Sequence, residues 1–232
     1  MRISFLASSI ATACLAATCA LAPMQQSAVA QNNNSNTAPP PKKNERPAAV
    51  LDAAREPFDG ASVEKMAAQC VRLETEAGEI EMEMLPETAP ETVRNFLNLS
   101  AIGAFDGTTF HRTVKGFIIQ GGSLASKQPL TLEQARRMAR VIPDEPNPVK
   151  HVRGIVSMAR SDKPNTATSS FFILVGDGPR LDGMFAAFAR VTRGMEAADA
   201  INNAPAEEEK PAKPVRLKRA LVTPCPPPST QP

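Results

Sequence analysis

The sequence predicts a mainly β fold organised around a closed or nearly closed antiparallel sheet. Short segments with alternating apolar residues recur along the chain, and only two stretches carry the pattern of a main helix. Strands and helices do not alternate in the order that parallel sheets require, which favours antiparallel pairing. The 232 residues suffice for one sizeable domain with tails at both ends.

The composition argues against two kinds of partner. A net charge of +2 gives no electrostatic reason to expect nucleic acid. Only two histidines are present, His111 and His151, so a histidine-rich metal site is not expected. Tryptophan and tyrosine are absent, and the ten phenylalanines must therefore supply all aromatic packing and any aromatic pocket.

Residues 1–30 have the features of a secretory signal. A positive start at Arg2 precedes an apolar run over residues 3–22, and Ala28-Val29-Ala30 is a cleavage motif. We expect cleavage after Ala30 and export to the periplasm. An N-terminus that stays uncleaved as a membrane anchor is the alternative.

The next segment, residues 31–67, is predicted to be a flexible linker. Its first part is rich in Asn, Ser and Pro, and Pro57 and Gly60 interrupt any helix that follows. Residues 68–224 are predicted to form the folded domain, and residues 225–232 a proline-rich tail.

The predicted elements of the domain follow from periodicity and turn residues. Ala77-Gly78 makes the turn of a first hairpin, and Pro90 opens a helix that Gly103 ends. The predicted strands are residues 70–76, 79–85, 109–114, 117–120, 155–159, 170–175, 185–191 and 215–223, and the second main helix is 195–201.

Residues 123–143 have the character of an insertion between strands. Thr131 and Gln134 fit a capping box, which predicts a short helix from about Leu132. We expect its arginines, Arg136, Arg137 and Arg140, to form a solvated face; steering of an acidic partner is the alternative.

The central stretch, residues 110–122, contains the chemistry-bearing side chains. Two short strands joined at Lys115-Gly116 would bring Arg112, Phe117 and Gln120 onto one patch, because alternate strand residues share a face. A guanidinium, an aromatic ring and an amide together suit a peptide ligand with one apolar residue.

This stretch and a later one resemble the signature of the cyclophilins, a family of peptidyl-prolyl isomerases. The resemblance covers residues 70–223 and implies an eight-stranded antiparallel barrel, capped by two helices, with a substrate groove on its outside. The matching motifs are Phe110-His111-Arg112, Phe117-Ile118-Ile119-Gln120-Gly121-Gly122, Ser157-Met158-Ala159-Arg160, Ser169-Ser170-Phe171-Phe172-Ile173-Leu174 and Leu181-Asp182-Gly183.

The resemblance also implies roles for individual residues. Arg112 is the expected catalytic donor, and Gln120 is expected to bond the substrate backbone. The proline ring would sit among Phe117, Ile118, Phe172 and Leu181, with Ala159, Arg160, Ser170 and Phe185 as further substrate-binding positions. The reaction needs no cofactor, and the expected partners of a monomeric enzyme are proline-containing peptides and unfolded or exported proteins. A non-catalytic proline-peptide-binding or chaperone module is the alternative.

Four positions depart from the pattern of well-known eukaryotic members. Arg160 stands where Asn is usual and Arg180 where Trp is usual, while Ser170 replaces a Gln and Phe185 a His. These changes bear on drug affinity and substrate preference, and they leave Arg112 and its apolar neighbours intact.

Cleavage after Ala30 would leave two cysteines, Cys70 and Cys225. In the family barrel the first and last strands resemble antiparallel neighbours, which brings the start of one beside the end of the other. An oxidising compartment would favour a disulfide between them. Two unpaired thiols remain the alternative, because Pro224 can turn Cys225 away.

Overall fold

The computed structural model describes residues 55–126 and 129–226. The predicted signal, the linker up to residue 54 and the tail from residue 227 lie outside the described residues. The strands are β1 Gln69–Thr75, β2 Gly78–Met84, β3 Arg112–Val114, β4 Ile118–Gly121, β5 Ile155–Met158, β6 Phe171–Leu174, β7 Ala187–Arg193, β8 Ala206–Glu207, β9 Lys210–Pro211 and β10 Leu217–Pro224. The helices are α1 Val63–Ala67, α2 Pro90–Ala101, α3 Leu132–Met138 and α4 Met195–Asn203.

Eight strands form one antiparallel sheet in the order β10-β1-β2-β7-β5-β6-β4-β3. The sheet curls until its edges meet, because the residues just before β3 bond to those just before and within β10. Gly107 donates its N–H to the Leu217 carbonyl at 2.8 Å, and Phe110 donates to the Val215 carbonyl at 2.9 Å. The predicted eight-stranded antiparallel barrel is confirmed.

Strand alternation separates two hydrophobic clusters. In β6, Phe171 and Ile173 point into the barrel, whereas Phe172 and Leu174 point outward. The interior is filled by phenylalanines from different elements, with the Phe96 ring 4.9 to 5.2 Å from those of Phe105, Phe171 and Phe188. Since the interior is occupied by packed side chains, a ligand must bind on the outside.

Helix α2 begins at Pro90, as predicted, and its first turn is capped from a distant loop. The residue before it, Ala89, has no side-chain oxygen to accept from the first N–H groups. Glu145 replaces this cap: its carboxylate accepts from the N–H of Glu91 at 3.0 Å and of Thr92 at 2.7 Å. The negative charge also suits the positive end of the helix dipole.

Helix α4 fixes the β3–β4 hairpin through one buried amide. Asn202 donates to the carbonyls of Val114 and Ile118, both at 2.9 Å, and accepts from the N–H of Gly116 at 2.8 Å. Three bonds to one turn hold the hairpin that carries Arg112 against the body of the domain.

The prediction of a flexible linker is wrong for its described part, residues 55–67. Phe58 and Met66 are buried in the main core, and α1 lies within this segment. Asn98 accepts from the Phe58 N–H at 2.8 Å, and Arg94 donates to the Phe58 and Ala61 carbonyls, both at 2.8 Å. Two apolar side chains and several backbone bonds are enough to dock a segment that composition alone classed as a tether.

Helix α3 forms with the predicted Thr131–Gln134 capping box. The prediction that the arginines of α3 form a solvated face is wrong for Arg137. Arg137 forms an ion pair with Glu56 in which the side chains are only 10% and 14% exposed. The insertion is therefore attached to the segment before α1. None of the helices in the described residues is long and apolar enough to cross a membrane.

Candidate functional site

A second hydrophobic cluster lies on the outer face of the sheet, separate from the barrel interior. Its buried members come from β4, β5, β6 and β7, and partly buried side chains from the surrounding loops cover it. Six of the predicted substrate-binding residues belong to this outer cluster: Phe117, Ile118, Ala159, Phe172, Leu181 and Phe185. The structure thus brings together residues that lie up to 68 positions apart in the sequence.

A row of directly paired residues links this outer cluster to the predicted catalytic arginine. Arg112 on β3 pairs with Gln120 on β4, and Gln120 pairs with Phe172 on β6. Paired residues of neighbouring strands share a face, and neighbouring strands lie about 4.8 Å apart. The guanidinium, the amide and the aromatic ring therefore follow one another across the same outer surface.

Arg112 is held from two sides. Its Nη1 donates to the Gln120 side-chain oxygen at 3.1 Å, and its Nε donates to the Glu209 carboxylate at 2.8 Å. Among the described residues, Nη2 has no hydrogen-bond partner. The guanidinium is therefore fixed through Nε and Nη1, and the Nη2 donor is available to a ligand.

Glu209 is a site residue that the sequence did not indicate. It lies in the turn of the β8–β9 hairpin, at a left-handed backbone φ of 69°, and its carbonyl accepts from the Thr113 N–H at 2.8 Å. The run Glu207-Glu208-Glu209 is the only sequence signal, and an acidic run is ordinarily a solvated turn.

The ring of Phe117 contacts an arginine and packs closely on a glycine. The guanidinium of Arg180 lies 4.4 Å from the ring centroid. Gly178 packs so closely that a Cβ there would lie 2.7 Å from Cε2 of Phe117. This wall of the outer cluster has a fixed position and a charged cover.

A second arginine, Arg160, covers another part of the outer cluster, where Phe172 and Phe185 meet. The rings of Phe172 and Phe185 meet edge to face at 5.7 Å, and the Arg160 guanidinium lies 5.3 Å from the Phe185 centroid. Arg160 also approaches Asp144, with 3.5 Å between Nε and Oδ2.

Ser170 lies directly before β6, the strand that carries Phe172. It lines a depression together with Leu124 and with Met138 of α3, so the insertion supplies part of that depression. Ala159 is tied to the same strand end, because its N–H donates to the Ser170 carbonyl at 2.9 Å.

Next to the outer cluster, three polar side chains are connected in a line: Ser157, His151 and Asp182. The Ser157 hydroxyl is 2.9 Å from His151 Nε2, and His151 Nδ1 is 3.3 Å from the Asp182 carboxylate. Ser157 and His151 are buried, so the hydroxyl cannot meet a substrate, and the arrangement is not a hydrolytic triad. It attaches the loop that carries Leu181 to β5.

Burial determines the charge state of the His151 ring. It lowers the pKa of His151, against the raising effect of Asp182, so the ring is neutral at physiological pH. The pKa of Asp182 is also lowered, chiefly by the hydrogen bond from the His151 backbone N–H and then by the Lys150 side chain.

Cys70 and Cys225 are joined by a disulfide, with their Cα atoms 4.8 Å apart. Cys70 lies in β1, which pairs with β10, and Cys225 follows β10 directly. The Cys225 N–H donates to the Ala68 carbonyl at 3.0 Å, so Pro224 does not turn the cysteine away. In the described part of the chain, no group of three or more His, Cys, Asp or Glu side chains is placed to hold a metal ion.

Residues 70–222 match the family model described as "Cyclophilin type peptidyl-prolyl cis-trans isomerase/CLD". The chain is 36% identical over 162 residues to peptidyl-prolyl cis-trans isomerase A of Dickeya dadantii, a match that covers 66% of this chain and 83% of that protein. It is 38% identical over 141 residues to the isomerase CYP23 of Arabidopsis thaliana, where the match covers 60% of this chain and 62% of that relative.

The fold is similar to that of solved members. A cyclophilin type peptidyl-prolyl cis-trans isomerase of Cryptosporidium parvum superposes with a TM-score of 0.60 at 34% identity, covering 68% of this chain and 99% of that one. The same protein has also been crystallised in the presence of the dipeptide Ala-Pro. The sequence match and the eight-stranded antiparallel barrel agree, and the chain belongs to the cyclophilin-type peptidyl-prolyl cis-trans isomerases.

Proposed function

We propose that the outer cluster, together with Arg112 and Gln120, forms a substrate groove (the outer groove) that accelerates rotation about X-Pro peptide bonds, with Arg112 as the donor to the transition state. The observation that carries this proposal is the row Arg112, Gln120 and Phe172. It places a guanidinium with an unbonded Nη2 beside the apolar side chains of the outer cluster. The Ala-Pro dipeptide present with the Cryptosporidium relative supports X-Pro peptides as ligands.

The chemistry of the reaction explains why this small set of groups suffices. Amide resonance imposes a barrier of about 18–20 kcal/mol, and uncatalysed exchange takes tens to hundreds of seconds. When the bond twists, conjugation is lost and the prolyl nitrogen becomes pyramidal and basic. A guanidinium near that nitrogen bonds the twisted state better than the planar one, and such differential binding lowers the barrier.

Each part of the groove has its own task. The rings of Phe117 and Phe172, with Ile118 and Leu181, provide an apolar seat for the pyrrolidine ring. Gln120 both orients Arg112 and is placed to bond the substrate backbone. Arginine suits the donor role because it stays charged and presents its N–H groups as a rigid fork.

The decisive experiment is the exchange rate of an X-Pro peptide, measured by NMR exchange spectroscopy with wild type and with Arg112→Ala. We expect the variant to lose about a hundred- to a thousand-fold of the rate, as for other preorganised donors. Arg190→Ala is the matched control, because Arg190 is exposed on β7 and its side chain forms an ion pair with Glu83, which is not part of the proposed site. Near-normal exchange by a folded Arg112→Ala variant would exclude the proposed mechanism.

The same measurement separates the enzyme from a non-catalytic binding or chaperone module. Such a module would shift the resonances of the peptide on titration without raising its exchange rate. It would also have no use for a cation fixed beside the apolar seat. We expect wild type to do both, that is, to bind the peptide and to accelerate its exchange.

We further propose that this activity assists folding of exported proteins in the periplasm. The predicted signal over residues 1–30 supports export, and the Cys70–Cys225 disulfide is typical of an oxidising compartment. Mature protein recovered from a periplasmic extract should begin at Gln31. Recovery in the membrane fraction with the N-terminus intact would contradict this proposal.

A further inference from the structure

Three arginines border the outer groove, and they differ in how their charges are balanced. Arg112 is paired with the Glu209 carboxylate, and Arg160 lies near the Asp144 carboxylate. Arg180 forms no ion pair or side-chain hydrogen bond with any of the described residues. Within residues 55–126 and 129–226, no carboxylate therefore offsets the charge of Arg180.

The acidic residues nearest to Arg180 in the sequence are already engaged. Asp177 accepts from the Arg153 backbone N–H at 2.9 Å. Asp182 accepts from the His151 backbone N–H and is 3.0 Å from the Lys150 ammonium. Neither carboxylate is placed to neutralise the Arg180 guanidinium.

Arg180 is nevertheless not a freely moving surface cation. The central carbon of its guanidinium lies 4.4 Å from the centroid of the Phe117 ring, and the next residue, Leu181, belongs to the outer cluster. No described residue accepts a side-chain hydrogen bond from Arg180, so its N–H groups are available to a ligand. A planar fork of N–H donors in that position matches a carboxylate.

On the basis of the proposed function, we infer that Arg180 is a specificity-determining residue that binds a carboxylate of the substrate beside the proline. Consecutive Cα atoms lie about 3.8 Å apart, so an acidic side chain on either neighbour of a seated proline is within reach of Arg180. The apolar rings below the pair reduce screening by water and strengthen the attraction. The groove should therefore prefer a proline that is flanked by Asp or Glu.

The test uses two series of short peptides with acetylated N-termini and amidated C-termini, so that a side chain supplies the only carboxylate. One series varies the residue before proline and the other the residue after it, each with Glu, Gln or Lys. In one of the two series, wild type should process the Glu peptide about two- to five-fold better in kcat/KM than the Gln peptide, the range of an exposed ion pair. Lys should rank last, and about 0.5 M salt should reduce the difference.

The readout is the ratio of Glu to Gln within each variant, which cancels any general effect of a substitution on the groove. Arg180→Gln should bring the ratio of the Glu to the Gln peptide to one. Arg180→Lys should keep part of the preference for Glu. Arg193→Gln, an exposed substitution on β7, should keep the wild-type ratio. An unchanged ratio in Arg180→Gln, or a preference for Lys, would overturn the inference.

Binding keeps this result separate from the proposed catalysis. Dissociation constants from NMR titration of the same peptides should show the same Glu preference and the same loss in Arg180→Gln. If no peptide is turned over, the proposed isomerase mechanism fails while these binding ratios still decide the role of Arg180. A second pair of peptides with free and amidated C-termini distinguishes a side-chain carboxylate from a terminal one. A preference for the terminal carboxylate alone would contradict a site beside the proline.

Discussion

Arg112 and Glu209 form an ion pair with 2.8 Å between Nε and Oε2, although 97 residues separate them in the sequence. The turn that carries Glu209 is fixed to β3 by the bond between the Glu209 carbonyl and the Thr113 N–H. Glu208 and Glu209 both adopt left-handed backbone conformations, which cost a non-glycine residue about 1 kcal/mol or more. The hairpin therefore holds the guanidinium at the cost of local strain.

Glu209→Gln should lower kcat by about two- to five-fold and leave KM nearly unchanged. The amide can still accept from Nε, but the charge attraction is lost; the two side chains are 42% and 48% exposed, so the pair is partly screened. Glu208→Gln is the control, because Glu208 lies in the same turn and forms no ion pair in the described part of the chain. Equal kinetics in the two variants would mean that Glu209 does not position Arg112.

Phe172→Leu should weaken peptide binding by about five-fold, the effect of a roughly 1 kcal/mol loss in a groove wall. Titration of a proline peptide followed by NMR measures the effect. Phe105→Leu makes the same chemical change inside the barrel, where Phe105 packs on Phe96. We expect this control to lower stability, by about 1 kcal/mol, with unchanged peptide affinity. Loss of affinity in both variants would argue against a specific seat at Phe172.

Gly178→Ala should reduce kcat/KM several-fold and cost about 1–3 kcal/mol of stability. The added Cβ would meet Phe117 at 2.7 Å and Leu174 at 3.1 Å, so the wall of the groove must move. A double-mutant cycle with Phe117→Leu checks the cause, since a smaller side chain relieves the contact. Strictly additive effects on stability would show that the two residues do not interact.

Reduction of the Cys70–Cys225 disulfide should destabilise the domain. The bridge spans 155 residues, and the chain-entropy model gives an upper value of roughly 5 kcal/mol for a loop of that length. Urea unfolding with and without reductant measures the effect, and Cys70→Ser/Cys225→Ser should be insensitive to the reductant. Two free thiols in the denatured, unreduced mature protein would disprove the bridge.

Stability should fall as the pH is lowered from 7 to 5. Burial lowers the pKa of His151 below its usual value of about 6.5, so the unfolded chain binds a proton that the folded chain resists. Stability from this group is therefore complete above about pH 6.5 and decreases toward the folded pKa. The lowered pKa of Asp182 acts in a more acidic window, below about pH 4. His151→Gln should flatten the decline in urea unfolding between pH 7 and 5; an unchanged slope would exclude His151 as its source.

The sequence predicts contacts between residues that are close along the chain better than contacts between residues that are far apart along it. Arg112, Phe117 and Gln120 could be placed because one hairpin holds all three, and its motif has a known order. The partner of Arg112 could not be found, since Glu209 reaches it only through a left-handed turn that no local pattern indicates. The contacts that Arg180 and Gly178 make with the Phe117 ring are likewise tertiary contacts that periodicity does not indicate.

The prediction of a flexible linker is wrong for residues 55–67 for a related reason. Composition measures whether a segment can build a core of its own, and residues 55–67 cannot. They fold because Asn98 and Arg94 on α2 offer hydrogen bonds to their backbone and because Phe58 and Met66 enter an existing core. Such docking depends on the surface of another element, which periodicity does not reveal.

The docked segment has a consequence for how the protein can be shortened. The match to the family runs from residue 70 to 222, but contacts that hold the domain together extend past both of these limits. A chain cut at residue 70 would lose Met66 and the hydrogen bonds that Asn98 and Arg94 make to Phe58. A chain cut at residue 222 would lose Cys225 and its bridge. We therefore expect a shortened chain to keep its stability only if it includes Glu56 and Cys225.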